Sequence, residues 1–399
     1  MNWLPANDVL RRRADVALIV GFFVFFWLPT ADTFLHLDRA PTPNENRAPA
    51  AFPARAPGIA GLRKFTAGLD AYFEDHFGFR SRLVGWERHW RWQLFHDTRL
   101  INVLKGKGDW LFFSDGKMVN DITGTRPFSD AELEGWRTLL TGRRDWLRQR
   151  GIRYLFVIPP DKQSIYPEHL PDWLLTRAGK PQRLDQFLVH MRARSDVPIL
   201  DLRSTLLDAK KNTELYLHTD SHWNERAALI ASRRIVQELA SLGITSAAPN
   251  PNAYREIVSN NPGGDLALML GQQDRLPEKA VPLLVPKPPL VELVFRKDAT
   301  LIPKSWIPGT EPLVVENPRT TGKVVMFRDS YAISLSKFFS QSFGRAVYVW
   351  QQNWDKPFIE RERPDVVIDE MLERIVIFRD PEELRKADGK PDVQAFGDR

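Results

Sequence analysis

Residues 16–31 read VALIVGFFVFFWLPTA, an uncharged apolar run bounded by Asp15 and Asp32 and preceded by Arg11, Arg12 and Arg13. A helix with no polar face cannot lie on the surface of a globular domain, so this run must enter lipid or be enclosed on all sides. It is slightly shorter than the ~20 residues that span a bilayer comfortably, which leaves a retained anchor and a cleaved signal peptide as the two readings. Bulky Phe22, Phe23, Phe25, Phe26 and Trp27 continue almost to its end and no A-x-A-like pair of small residues follows, which favours the anchor. The arginines on its N-terminal flank then hold the tip in the cytoplasm and send everything after residue 32 outside.

The chain has 399 residues, 43% of them hydrophobic, which is enough for one large or two ordinary domains. Lys+Arg (56) and Asp+Glu (50) nearly cancel, and no long basic run lies beyond the N-terminus, so no nucleic-acid partner is expected. The absence of cysteine excludes disulfides, thiolate zinc sites and Cys nucleophiles, and tolerates either redox compartment. No H-E-x-x-H pair occurs among the histidines, and pairing His218 with His222 on a metal would require a helix through a segment that reads as a loop. No metal and no cofactor are expected.

Prolines recur too often for a helix over residues 38–60, DRAPTPNENRAPAAFPARAPGIA, and this stretch reads as an extended linker. The organisation expected is a cytoplasmic tip and transmembrane anchor over 1–31, a proline-rich linker over 32–60 and a globular domain over 61–399. Phe65, Leu69, Tyr72 and Phe73 fall at helical spacing, and Trp86, Trp90 and Trp92 follow; both groups read as packing residues. From residue 130 helices alternate with short apolar runs: a helix ending at Gly151, the strand RYLFVIPP, a helix over 182–194, the strand VPILD, and a helix from about Asn224 to Leu242. Residues 247–322 read as loops with a few edge strands. KVVMFRDS, RAVYVW and RPDVVIDEM then complete the pattern, which implies a parallel sheet covered on both faces.

In open parallel sheets functional groups collect where strands end at the carboxyl edge. Asp161 with Lys162, Asp201, and Ser330 stand at such positions. The pattern predicts a helix beginning just beyond Ser330, so its hydroxyl would sit among free backbone N–H groups able to hold an oxyanion; the plainer alternative is a helix cap. R-D-S-Y-A lacks both glycines of the G-x-S-x-G elbow, which disfavours the α/β-hydrolase arrangement. His222 is the best-placed base because Asp220 stands two residues before it, on the same side of an extended or looped segment. Asp-x-His also recurs by chance, and the alternative is a capping residue with a half-buried histidine.

Several short motifs occur together: ENRAPAAFP at 45–53, YFEDHFGFRSRL at 72–83, GKGDWLFF at 106–113, IPPDKQSIYPEHLP at 158–171, TDSHWN at 219–224, GGDLALMLG at 263–271 and FRDSYAISL at 327–335. In this order the chain resembles the alginate O-acetyltransferases of the AlgJ and AlgX type, a branch of SGNH-hydrolase-like proteins. A retained anchor with no carbohydrate-binding domain after the catalytic unit is closer to the AlgJ arrangement. The resemblance implies a flavodoxin-like α/β fold, with the acid–base pair on Asp220 and His222 and the nucleophile on Ser330. It further implies transfer of acetyl groups to hydroxyls of an exopolysaccharide, with a membrane-bound O-acyltransferase as the donor partner and the inner membrane and periplasm as the location. An acetyl esterase with the same triad and a non-catalytic glycan-binding component of an export complex remain the alternatives. No side chain is assignable as an oxyanion donor.

Overall fold

The computed structural model describes residues 6–35, 50–54, 57–80, 82–84, 86, 87, 90, 102–179, 182–288, 293–298, 300, 301 and 311–388. It divides into two compact units, Met1–Asp97 with Phe396–Arg399, and Thr98–Ala395.

In the first unit the apolar run lies inside a longer helix, Ala6–Leu35, of which Arg12–Asp32 is long and apolar enough to cross a membrane. That property alone fits an anchor and a signal sequence equally. Residues 36–49 of the expected linker lie outside the described residues. A second helix, Gly58–His76, follows. Phe52 packs edge-to-face on Tyr72 at 5.2 Å, whereas Phe73, Trp86 and Trp90, read as packing residues, are largely exposed. Trp92 lies outside the described residues. The turn after this helix closes on the end of the first: Phe79 N–H donates to Asp32 Oδ2 at 2.9 Å, and Gly78 approaches the Pro29 carbonyl too closely for any side chain.

The second unit is built on a seven-stranded sheet. Its strands are β3 (Arg153–Ile158), β4 (Ile199–Asp201), β7 (Val294–Lys297), β8 (Leu313–Glu316), β9 (Lys323–Phe327), β10 (Arg345–Val349) and β11 (Val366–Glu370), in the order β4-β3-β11-β9-β10-β8-β7. The first five are parallel; β8 and β7 add antiparallel strands beyond β10, so the sheet is mixed rather than wholly parallel. The near-continuous apolar runs have a direct cause. Leu155, Val157, Val324, Met326, Val366 and Ile368 enter one hydrophobic cluster, while the alternating Phe156, Ile158, Val325, Phe327 and Val367 enter the other. The first cluster is closed by the helices Glu225–Ser241 and Ala332–Phe339, the second by Asp130–Arg148 and Arg183–Arg194.

Local signals place these helices. Ser129 and Glu132 form a reciprocal capping box ahead of Asp130–Arg148, and that chain turns at Gly151, whose φ of 71° suits glycine. Residues 247–322 contain more strand than expected. β5 (Tyr254–Asn261) and β6 (Glu278–Pro286) form a two-stranded antiparallel ribbon, and β8 lies inside the main sheet. Pro282 and Pro286 hid β6 because proline removes a ladder donor, which a ribbon with two free edges tolerates. A small hairpin, β1 (Val103–Lys105) with β2 (Leu111–Phe113), opens the unit.

Candidate active site

β9 ends at Phe327, and Arg328, Asp329 and Ser330 carry the chain over the carboxyl edge toward the helix Ala332–Phe339. Buried carboxyls shape this turn where an elbow would use glycine. Asp329 accepts the Tyr331 N–H at 2.9 Å and the Leu372 N–H at 2.7 Å, and its own N–H donates to Glu370 Oε2 at 2.9 Å. Burial raises the pKa of both carboxyls, that of Glu370 well above its ordinary range with the Asp329 charge adding to it. The Ser330 carbonyl accepts the Ile333 N–H at 3.1 Å, and among the described residues its N–H has no acceptor.

Asp220 and His222 sit on a loop with both ends clamped. Tyr216 and Trp223 form an antiparallel bridge, and Asn224 N–H donates to the Leu215 carbonyl at 2.8 Å. The Asn224 side chain then caps Glu225–Ser241. Trp223 is buried and donates through Nε1 to Ser334 Oγ at 2.8 Å, while Tyr331 OH donates to the Ser221 carbonyl at 2.6 Å. The D-x-H loop and the Ser330 turn are thereby tied together from both sides.

Within the loop, Asp220 Oδ1 accepts both the His222 N–H at 2.9 Å and the His222 Nδ1–H at 2.7 Å. An ionised carboxylate can only accept, so the imidazole proton stands on Nδ1 and Nε2 is left to accept from the Ser330 hydroxyl at 2.8 Å. Burial works to raise the Asp220 pKa, but the hydrogen bond and charge of His222 and two backbone N–H groups hold it down to about 2. Burial likewise works to lower the His222 pKa, and the hydrogen bond and charge of Asp220 with the charge of Asp265 overcome it, so the imidazole is raised. The His222 side chain is 29% exposed, which leaves this edge open to a ligand.

Asp220, His222 and Ser330 are thus brought together. Asp161 and Lys162, also marked by the sequence, stand close by. Asp161 pairs with Arg374 at 2.7 Å, and Lys162 reaches into the D-x-H loop. Asp201 is engaged elsewhere, accepting from Arg203 N–H at 2.9 Å and Arg203 Nε at 2.8 Å.

Asp265 and Glu278 were not singled out from the sequence. Asp265 Oδ1 accepts Ser221 N–H and Oδ2 accepts Ser221 Oγ–H, each at 2.6 Å, and the Asp265 N–H donates to Asp220 Oδ2 at 3.1 Å. Glu278 accepts from Thr219 N–H, from Thr219 Oγ at 2.6 Å and from His218 N–H at 3.1 Å. The signal for Asp265 was the GGD of 263–265, since a Cβ on Gly264 would stand 2.7 Å from Asp220 Cα and Oδ2 and closer still to Asp220 Cβ. Asp220, His222 and Asp265 are also the one group among the described residues whose ligand atoms converge as a metal would require, within 4.8 Å. The carboxylate oxygens of Asp265 and the Nδ1 of His222 are already taken by hydrogen bonds, so a cation would have to displace them.

A helix-covered, mainly parallel sheet with a serine, an imidazole and a carboxylate in one hydrogen-bonded line at its carboxyl edge defines an SGNH hydrolase-like α/β domain. Residues 103–289 match the family model described as SGNH hydrolase-like domain, acetyltransferase AlgX. The matched span holds Asp220 and His222 and stops before Ser330.

The chain is 27% identical over 238 residues to a probable alginate O-acetylase AlgJ of Pseudomonas fluorescens, covering 58% of this chain and 56% of that protein. It is 26% identical over 212 residues to the protein of the same name from Pseudomonas syringae pv. tomato, covering 52% and 51%. The chain therefore spans about half the length of the curated relatives it matches. The solved structure of Bacillus cereus PatB1 with a sulfonyl adduct superimposes with a TM-score of 0.51 at 14% identity, over 70% of this chain and 99% of that one, a likeness of fold.

Proposed function

We propose that the chain is a polysaccharide O-acetyltransferase that works through an acetyl-serine intermediate. The observation that carries this reading is the line from Ser330 Oγ to His222 Nε2 at 2.8 Å and from His222 Nδ1 to Asp220 Oδ1 at 2.7 Å. Ser330 Oγ attacks the carbonyl carbon of an acetyl donor while His222 Nε2 takes the hydroxyl proton. The tetrahedral oxyanion is received by the unpartnered Ser330 N–H. Collapse expels the donor's leaving group, which takes the proton from His222. A sugar hydroxyl then attacks the acetyl-serine, gives its proton to His222, and displaces Ser330 Oγ, which is reprotonated. Asp220, ionised at neutral pH, holds the Nδ1–H tautomer throughout and stabilises the imidazolium.

The names of the relatives support an exopolysaccharide such as alginate as the acceptor and the AlgJ arrangement as the setting. Arg11, Arg12 and Arg13 before the apolar helix support a single-pass inner-membrane anchor with Thr98–Ala395 in the periplasm, where a membrane-bound O-acyltransferase would supply the acetyl group. Hydrolysis would use the same three residues with water in place of the sugar. Purified enzyme given an activated aryl acetate and an unacetylated polymer separates the two: acetylated polymer is expected, and release of free acetate alone would make the protein an esterase. A periplasm-dependent reporter fused after residue 60 should be active, and the full-length protein should sediment with membranes. A soluble, trimmed product would establish a cleaved signal peptide.

A further inference from the structure

Lys162 follows the end of β3 and is almost wholly buried, against the rings of Trp110 at 5.6 Å and Phe112 at 5.3 Å. Burying an ammonium there is costly unless its protons are all engaged. They are: Nζ donates to the carbonyls of Leu217 at 3.0 Å, His218 at 3.0 Å and Asp220 at 2.7 Å. All three acceptors lie on the loop that carries the acid–base pair. The His218 carbonyl also accepts the Leu111 N–H at 2.9 Å, whereas for the carbonyls of Leu217 and Asp220 the ammonium is the donor among the described residues.

We infer that Lys162 is a positioning residue for the proposed reaction, its ammonium pinning the loop 217–222 so that Asp220 and His222 stay in line with Ser330. This role rests on the catalytic reading above. It requires the protonated form, because a neutral amine has two N–H groups for three carbonyls. The charged groups facing the ammonium are Asp220, Asp265 and Glu278, which favour it, and Arg374, which opposes it. Burial outweighs them and brings the Lys162 pKa down to about 7, so the pin loosens as pH rises through neutrality. His222, raised from its usual value, must be unprotonated to act as base, and it sets the acid side of the profile. The wild-type profile is therefore a narrow bell with its alkaline limb set by Lys162.

The test is kcat and KM for aryl acetate turnover by full-length wild type, Lys162→Met, Lys162→Arg and Ser330→Ala, from about pH 6 to about pH 9. Lys162→Met should lose about 10²-fold in kcat with little change in KM, as expected when catalytic groups drift by about 1 Å. Lys162→Arg, which stays charged throughout, should recover part of that loss and show no alkaline limb in this range. If Lys162→Met does not fold, the wild-type and Lys162→Arg profiles still decide the matter. An alkaline limb missing from wild type, or unchanged in Lys162→Arg, overturns the role. If Ser330→Ala is inactive while a folded Lys162→Met matches wild type at every pH, the positioning role alone fails. If Ser330→Ala retains wild-type turnover, the catalytic reading fails and this inference with it.

Discussion

Gly264→Ala tests whether the second loop, 263–265, sets the geometry of Asp220 and His222. Gly264 has φ of −70°, so an alanine there is acceptable to the backbone itself and the whole effect comes from the added methyl. That methyl would lie 2.7 Å from Asp220 Cα and from Oδ2 and closer still to Asp220 Cβ, against the 3.4 Å at which ordinary contact begins, so the two loops must part by more than about 0.7 Å. If Asp220 yields, its 2.7 Å bond to His222 Nδ1 stretches toward the limit of hydrogen bonding. If 263–265 yields instead, the Asp265 N–H leaves Asp220 Oδ2 and the grip of Asp265 on Ser221 loosens. Displacements of this size in a catalytic group cost about 10²-fold in kcat/KM, or ~2.7 kcal/mol of transition-state stabilisation. Overpacking should add about 1–3 kcal/mol of lost folding stability. The assay is aryl acetate turnover beside thermal unfolding, with Gly142→Ala as the control. Nothing lies within 4 Å of a Cβ at Gly142, which is inside the helix Asp130–Arg148. That control should keep its activity and gain about 0.5–1 kcal/mol of stability. A folded Gly264→Ala within about threefold of wild type would refute the reasoning, since the contact would then be relieved without moving either loop.

Ser330→Ala and His222→Ala should each abolish acetyl transfer, with the double variant no worse than either, because groups acting as a unit are not additive. Asp220→Ala should leave more residual activity, since a misoriented imidazole still accepts a proton part of the time. The pH profile of kcat/KM should fall on the acid side as His222 protonates, and Asp220→Asn should move that limb to lower pH, because the Asp220 carboxylate is what raises the imidazole. Arg143 is buried between Asp369 at 2.7 Å and Asp388 at 2.7 Å, so Arg143→Leu should cost about 3–5 kcal/mol in urea unfolding and leave the turnover of the folded fraction unchanged.

The strands that build the sheet were legible because each is buried on both faces, which turns β3, β9, β10 and β11 into unbroken apolar runs. β6 was not, because its prolines mask a ribbon whose free edges have room for them. At the site, Ser330 was marked by its place after β9 and Asp220 with His222 by their spacing, each with a capping residue as the alternative, and the resemblance joined the three. Asp265 and Glu278 could not, because their work is done across loops by hydrogen bonds to backbone N–H groups of residues 218–222, and no periodicity or local spacing records such contacts. Lys162 was marked only by its place beyond β3; its three carbonyl partners, 55 to 58 residues away in sequence, appear only once the loop has closed.

The central claim is that Ser330 carries the acetyl group, and intact-protein mass spectrometry of acid-quenched enzyme tests it directly. Wild type mixed with an activated aryl acetate should gain the mass of one acetyl group, mapped by digestion to the peptide containing Ser330, and should lose it when an acceptor polymer is added. Ser330→Ala should gain nothing. Acetyl transfer proceeding with wild type unmodified at every quench time, or an equal label on Ser330→Ala, would contradict the account.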